Sequence, residues 1–276
     1  MNPHIASHRD GFGAGLTAIT QADAADNPSK IGLAVLRLAA GEALTTSPRC
    51  ETAWLLMSGS VAGTAGDLSF SFERHSLFDE SASCVHAAAG TSVKITALTE
   101  SELTVYECAN HRQFPPRVFT PGQVANEPRG RGQVGGRALR YVRTIFDRSN
   151  SPPEVELVLG EVVTFPGGWS SYPPHHHPQH EIYHYRFTEP QGYGHAELGE
   201  DVVKVRQYDT VKIPAGLDHA QCAAPGYGMY YSWVIRHLPD KPYTVPEFTA
   251  EHAWTMQPEA PFWRPRDFDS SGGPKK

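Results

Sequence analysis

Ser171-Tyr172-Pro173-Pro174-His175-His176-His177-Pro178-Gln179-His180-Glu181-Ile182-Tyr183-His184-Tyr185-Arg186-Phe187 is the stretch on which the reading of this chain turns. Five of the 14 histidines fall in it. On an extended chain successive side chains point to opposite sides, so His175 and His177 share a side, and Glu181, Tyr183, Tyr185 and Phe187 have the same parity. If the segment stays extended, one wall carries two imidazoles, a carboxylate and two phenols. His-x-His-x3-Glu offers nitrogen and oxygen ligands suited to one borderline divalent cation, with Zn²⁺ first and Mn²⁺ or Fe²⁺ as alternatives. A fourth ligand must come from elsewhere. Ile213-Pro214-Ala215-Gly216-Leu217-Asp218-His219, a turn closing an apolar strand and then a lone histidine, offers one. His176 and His184 have the wrong parity, and His180 reads as a rim residue or a substitute ligand. The bland alternative is a solvated, tag-like tract that binds metal incidentally. The strand-like run after the cluster and the distant Pro-x-Gly-x-x-His are not features of a tract.

Around this stretch the composition narrows the class. A chain of 276 residues can bury a full core and hold one large or two small domains. The net charge is −6 and basic residues form no long block, so no nucleic-acid partner is expected. Met1 to Asp10 is polar, and no run approaches the roughly 18 apolar residues of a membrane span. Cys50, Cys84, Cys108 and Cys222 are scattered without a C-x-x-C, which fits reduced thiols and a cytoplasmic protein. Glycine (25) and proline (23) punctuate short apolar runs, which predicts an all-β sandwich or barrel.

In chain order, residues 1–30 read as an arm or first edge. Strands are predicted over 31–38, 52–57, 68–72, 85–89, 92–98 and 103–108. Residues 114–128 form a Pro-rich connection, and Arg129 to Arg140 a Gly/Arg loop suited to contacting an anion. The second half then repeats the first. Residues 156–165 parallel 33–38, Glu181 falls in register with Glu51, and 211–216 parallel 85–90. The expectation is an all-β bicupin, two tandem jelly-roll β-barrels, divided as 1–128 without a metal site and 129–276 with one. The positions of His175, His177 and His219 fall on Thr45, Ser47 and Val93 in the first half, so a four-ligand site should exist once. Residues 227–235 read as the last strand, 247–254 as a helical or coil segment packing Trp254, and 270–276 as a disordered tail.

Gly168 to His177, Glu181 to Phe187 and Ala223 to Tyr227, with Arg37 to Glu42 and Gly90 to Val93 in the first half and Arg140 to Val142 just beyond it, resemble the 5-deoxy-glucuronate isomerase family of myo-inositol catabolism. The resemblance runs from about residue 30 to about residue 255. It implies a metal-dependent aldose–ketose isomerase, an intramolecular oxidoreductase acting on a small sugar acid, with His175, His177, Glu181 and His219 as ligand positions. The chain departs from the family's pattern at two places. Only Pro178-Gln179-His180 separate the His pair from the Glu, and Leu217-Asp218 precede His219. Related isomerases of 4-deoxy-threo-hexosulose-uronate type, a cupin dioxygenase with the same ligand set and a sugar-sensing or storage cupin are the other readings.

The isomerase chemistry assigns further candidates. The general base must reach the proton on C2, and Tyr183 and Tyr185 share Glu181's wall; packing in the core is their alternative role. A uronate carboxylate calls for an arginine clamp, with Arg186, Arg143 and Arg140 as candidates. Arg186 has outward parity. A homo-oligomer is possible, and neither a nucleic acid nor a membrane is an expected partner.

Overall fold

The computed structural model describes residues 3–264; the expected tail at 270–276 lies outside them. Among the described residues there is no α-helix, only strands and two short 3-10 turns, Gln133–Gly136 and Ala253–Met256. Most predicted strands form within a residue or two of their expected ends. Ile31–Leu38 matches its prediction, and Ser101–Cys108, Leu157–Thr164 and Met229–Arg236 run close to theirs. The second predicted strand is much longer, Glu51–Ala65. A register shift between Leu56 and Ser58, followed by Gly59 at φ +95°, turns it from one layer into the other.

Each half is a pair of facing layers. In the first half the main layer runs Arg117–Phe119, Cys84–Ala87, Glu51–Ala65, Ser101–Cys108, Ile31–Leu38, Gly15–Thr20. The far end of Glu51–Ala65 builds the second layer with Leu68–Arg74 and Val93–Ala97, and Ala43–Thr46 pairs on Val93–Ala97. In the second half a seven-stranded layer runs His4–Ile5, Thr210–Ile213, Glu181–Phe187, Met229–Arg236, Leu157–Thr164, Arg140–Phe146, Glu127–Arg129. It faces a five-stranded layer of Asp201–Arg206, Tyr193–Leu198, His219–Ala223, Trp169–His176 and Glu247–Phe248. No sheet closes on itself, so the expected barrels are open jelly-roll sandwiches. The strands of each half divide between two layers instead of hydrogen-bonding around a full circle.

Three apolar clusters follow from strand parity. Val61, Phe70, Val93 and Ile95 fill the first sandwich, and Tyr183, Tyr185, Val211 and Tyr231 fill the second. The third cluster lies between the halves, where Leu33, Leu55 and Tyr106 meet Leu157, Leu159 and Val234. Both faces of the main layers are therefore buried, which explains why Leu157–Thr164 and Glu181–Phe187 read as continuous buried runs.

The expected register between the halves is off by one residue. Glu51 opens its strand as Glu181 does, but its parity partners Ala53, Leu55 and Met57 belong to the cluster between the halves. A one-residue slip sends every side chain to the other face. Glu51 is thus not a relic of the Glu181 site. It accepts hydrogen bonds from Asn110 Nδ2 (2.7 Å), Glu156 N (2.8 Å) and Leu157 N (2.9 Å), and lies 2.9 Å from His86 Nε2.

The N-terminal arm crosses to the second half. His4 pairs with Val211 and Ile5 with Thr210, and Lys212 N–H donates to Pro3 O (2.8 Å). Arg9 Nε donates to Asp209 Oδ1 (2.8 Å) and Arg9 Nη2 to Asp209 Oδ2 (2.6 Å), with His4 Nε2 2.7 Å from the same carboxylate.

His184 and Arg186 face outward from the second sandwich, as their parity requires. Arg186 Nη1 donates to His184 Nε2 (2.6 Å), so the imidazole proton sits on Nδ1 and donates to Thr210 Oγ1 (2.8 Å). Burial first, and then Arg186, hold His184 well below the ordinary imidazole range. The native state then binds fewer protons than the unfolded chain below about pH 6.5, so stability falls as pH falls through that range. The expected slope is up to about 1.4 kcal/mol per pH unit. Urea unfolding between pH 7 and pH 5 should show it, and His184→Gln, which keeps an acceptor for Arg186, should make it shallower.

Candidate functional site

The two motifs meet where the two layers of the second sandwich converge. Trp169–His176 lies in the five-stranded layer, where His175 pairs with His219. The chain then turns through residues 177–180 and re-enters as Glu181, the first residue of its strand in the seven-stranded layer. The expected single extended wall does not form, because the Pro178–His180 turn carries the chain from one layer to the other. The downstream turn docks on this one. Gly216 N–H donates to His177 O (2.8 Å), and Ala215 N–H donates to His180 Nδ1 (3.1 Å), which leaves His180 at the rim. That docking brings His219 to the pair.

His177, Glu181 and His219 each present one donor atom, all within 4.8 Å of one another, and all three side chains are buried. Glu181 Oε2 lies 3.2 Å from His177 Nε2 and 3.3 Å from His219 Nε2. His219 Nδ1 donates to Leu217 O (3.0 Å), and His175 Nδ1 donates to Ser171 O (3.1 Å). Each ring therefore keeps its Nε2 lone pair for a ligand, the tautomer that a backbone carbonyl bound to the other ring nitrogen imposes on a metal-binding histidine. His219 Nε2 makes no hydrogen bond, although it is buried. His175 stands outside the tight trio and adjoins it through His219, with ring centroids 4.3 Å apart. Burial pushes the Glu181 carboxyl up, but the imidazoles of His177 and His219 set against it outweigh that and hold the group down at about 2. Burial, followed by the charge of a neighbouring imidazole, lowers His175 to about 3. Near neutral pH these residues are a carboxylate and a neutral imidazole, the forms that ligate a cation. A buried donor with no partner, in a set of nitrogens and one carboxylate, fits a divalent ion held by His177, Glu181 and His219 with His175 alongside.

A solvent-open cleft of about 570 Å³ leads to this cluster. Tyr183 lines it, but its hydroxyl is 3.1 Å from Ser171 Oγ and its ring stacks on Tyr231 (4.5 Å, 21°). Tyr185 is fully buried and donates to Gln221 Oε1 (2.8 Å). Burial raises both phenols well above the ordinary range, with Glu181 adding to the effect, so neither forms a phenolate base near neutral pH.

The three arginines separate. Arg186 donates to Glu102 Oε1 (2.6 Å) on the outward face, and Arg143 donates to Leu77 O, Phe78 O and Asn126 Oδ1 in the buried seam between the halves. Neither reaches the cleft. Arg140 lines it, with Nη1 donating to Ala138 O (2.9 Å) and a buried Nε that has no partner. Gly130 makes room for this guanidinium, since a Cβ there would lie 2.6 Å from Arg140 Nη1.

Sequence reasoning missed Trp233, Tyr243 and Phe248, all lining the cleft. Tyr243 and Phe248 sit in the Pro-rich exit after the last long strand, where no periodicity marks a side chain as inward. Glu247–Phe248 is a short strand pairing with His175–His176, and Trp254, expected to pack, is 45% exposed. Trp233 depends on Gly160, where a Cβ would sit 2.4 Å from the indole Cε2. Gly160→Ala should push the indole toward the cleft, destabilise the fold by about 1–3 kcal/mol and raise KM. Urea unfolding and steady-state kinetics check both parts.

Two facing open sandwiches in tandem, with the one buried His/Glu/His trio found among the described residues lying in the second, define a cupin-class chain. The sequence profile of the KduI/IolB family matches residues 5–255, and the chain belongs to that family. It is similar to 5-deoxy-glucuronate isomerase of Geobacillus thermodenitrificans, 28% identical over 197 residues, covering 63% of this chain and 65% of that one. The match thus spans just under two thirds of that relative's length. The 5-deoxy-glucuronate isomerase of Lacticaseibacillus casei is 27% identical over 265 residues, covering 88% of this chain and 94% of that one. Among solved structures, an IolB-like protein of Salmonella typhimurium superposes with a TM-score of 0.77 at 28% identity, covering 89% of this chain and 97% of that one. The oxalate decarboxylase of Lactobacillus farciminis shares the fold alone, with a TM-score of 0.65 at 14% identity and coverage of 93% and 91%.

Proposed function

We propose that the protein is a metal-dependent aldose–ketose isomerase that converts 5-deoxy-glucuronate to its 2-deoxy-5-keto-gluconate isomer, within the breakdown of inositol. The observation that carries the reading is the cluster of His177, Glu181 and His219 at the end of an open cleft, with His219 and the adjoining His175 held in the ligating tautomer by backbone carbonyls. The names of the relatives, 5-deoxy-glucuronate isomerase, support the substrate.

A divalent ion held there would supply Lewis-acid polarisation of a carbonyl and an adjacent hydroxyl, the requirement for moving hydrogen between neighbouring carbons. The chain's own residues bind and orient the substrate. Arg140, which lines the cleft, receives the uronate carboxylate. Trp233, Val142 and Val162 supply the apolar wall along the carbon chain. Ser171 ties Tyr183 and Tyr231 into a fixed wall, 3.1 and 3.0 Å from their hydroxyls. The test is incubation of metal-loaded protein with 5-deoxy-glucuronate, followed by NMR in deuterated water. Conversion with deuterium entering next to the carbonyl supports the reading. Conversion of a different uronate alone overturns the substrate. Oxygen uptake without isomerisation overturns the reaction class.

A further inference from the structure

The Pro-rich exit after Met229–Arg236 returns over the mouth of the cleft. It is held on both sides of Tyr243. Tyr243 N–H donates to His237 Nδ1 (2.9 Å), and Gln179 Nε2 donates to Lys241 O. Farther on, Glu247–Phe248 pairs with His175–His176, and Thr249 N–H donates to Pro174 O (2.9 Å). Between these anchors the Tyr243 ring stands edge-on to His177, with centroids 5.0 Å apart and planes at 74°. Tyr243 lines the cleft together with His175, Glu181 and Arg140.

Its hydroxyl is the distinctive feature. The other tyrosines at the site have theirs committed. Tyr183 lies against Ser171, Tyr185 donates to Gln221, and Tyr231 donates to Ser170 Oγ (2.9 Å). The Tyr243 hydroxyl has no hydrogen-bond partner among the described residues. A half-buried phenol that lines a cleft beside a carboxylate, and finds no protein acceptor, is placed to meet a ligand oxygen.

We propose that Tyr243 is a substrate-contacting residue whose O–H donates a hydrogen bond to an oxygen of the sugar acid bound against His177, Glu181 and His219. Arg140 and Tyr243 then hold the ligand at two points, the guanidinium at the carboxylate and the phenol at a hydroxyl or carbonyl oxygen near the cluster. A donor at that oxygen strengthens as negative charge develops on it, so its removal affects kcat as well as binding.

The turnover part of this inference rests on the isomerase reading; the binding part does not. Tyr243→Phe removes the hydroxyl and keeps the ring against His177. In the metal-loaded variant, elemental analysis and melting temperature should match the parent. Calorimetric affinity for gluconate, a sugar acid that cannot isomerise, should fall about tenfold. With 5-deoxy-glucuronate, kcat/KM should fall about 100-fold, with most of the loss in kcat. Equal gluconate affinity in the two proteins, including binding by neither, overturns the proposal. Weaker gluconate binding in the variant, with no uronate converted by the parent, upholds the contact and removes the isomerase reading.

Discussion

On the proposed isomerase reading, exchange of Glu181 for glutamine, or of His219 for alanine, is expected to give a folded protein that no longer retains a divalent ion and isomerises the uronate about 1,000-fold more slowly or worse. The size follows from the Lewis acid's role, worth several kcal/mol of charge stabilisation, with each 1.4 kcal/mol a factor of ten. Glutamine has the shape of Glu181 but neither its charge nor its basicity. The carboxylate is held down at about 2 by His177 and His219, so it is ionised near neutral pH. His219 is the other ligand on that reading, because its buried Nε2 has no hydrogen-bond partner and its Nδ1 is fixed on Leu217 O. His175→Ala should cost less metal affinity, since His175 stands outside the trio whose donors lie within 4.8 Å. Elemental analysis after dialysis, paired with turnover, checks the order. Full metal retention in both the Glu181 and His219 variants would place the ion elsewhere.

Glu161→Gln is expected to destabilise the protein by about 3–5 kcal/mol, the cost of leaving a buried charge without its counter-ion. Glu161 is fully buried in the seam between the halves. Arg74 from the first half meets it at 2.6 and 2.8 Å, Tyr230 donates to it at 2.8 Å, and Arg143 lies 3.4 Å away. Burial pushes the carboxyl up, and Arg74 followed by Arg143 brings it below the ordinary range. The stability this contributes is therefore present above the unfolded value of about 4.5 and is lost as pH falls through the lower folded value. Replacing Arg74, Glu161 and Arg143 together by methionine should recover most of the loss, because an apolar trio of similar volume avoids desolvating the charges. Urea unfolding of the single and triple variants measures both. A triple variant no more stable than Glu161→Gln would show that the arginines' bonds to Leu56 O, Leu77 O and Phe78 O matter more than the ion pairs.

The legible parts of this molecule were those written in local patterns. Ile31–Leu38 and Ser101–Cys108 stand near their predicted limits because alternation and flanking turn residues are properties of a few neighbours. The outward direction of His184 and Arg186 followed from parity alone. What local pattern could not supply was the path between layers. His175 and Glu181 were read as one wall, whereas a four-residue turn puts them in different sheets. Glu51 looked like the counterpart of Glu181 because both open a strand, yet a shift of one residue points it into the seam. Tyr243 was invisible for a similar reason, since its inward position depends on anchors at His237 and Pro174 rather than on any periodicity.

The arm at His4–Ile5 has a consequence for any attempt to divide the protein. Thr210–Ile213 would be the outermost strand of the seven-stranded layer without it, presenting free N–H and C=O groups to any other chain. The residues that cover that edge come from the opposite end of the polypeptide, fastened by Arg9 on Asp209. Expressed alone, residues 129–276 would keep the cluster and its cleft but lose the cover. The separated half also bares Leu157, Leu159 and Val234 and leaves Glu161 without Arg74, so it should aggregate, and a peptide supplying residues 1–12 alone should not return it to a single particle size in solution.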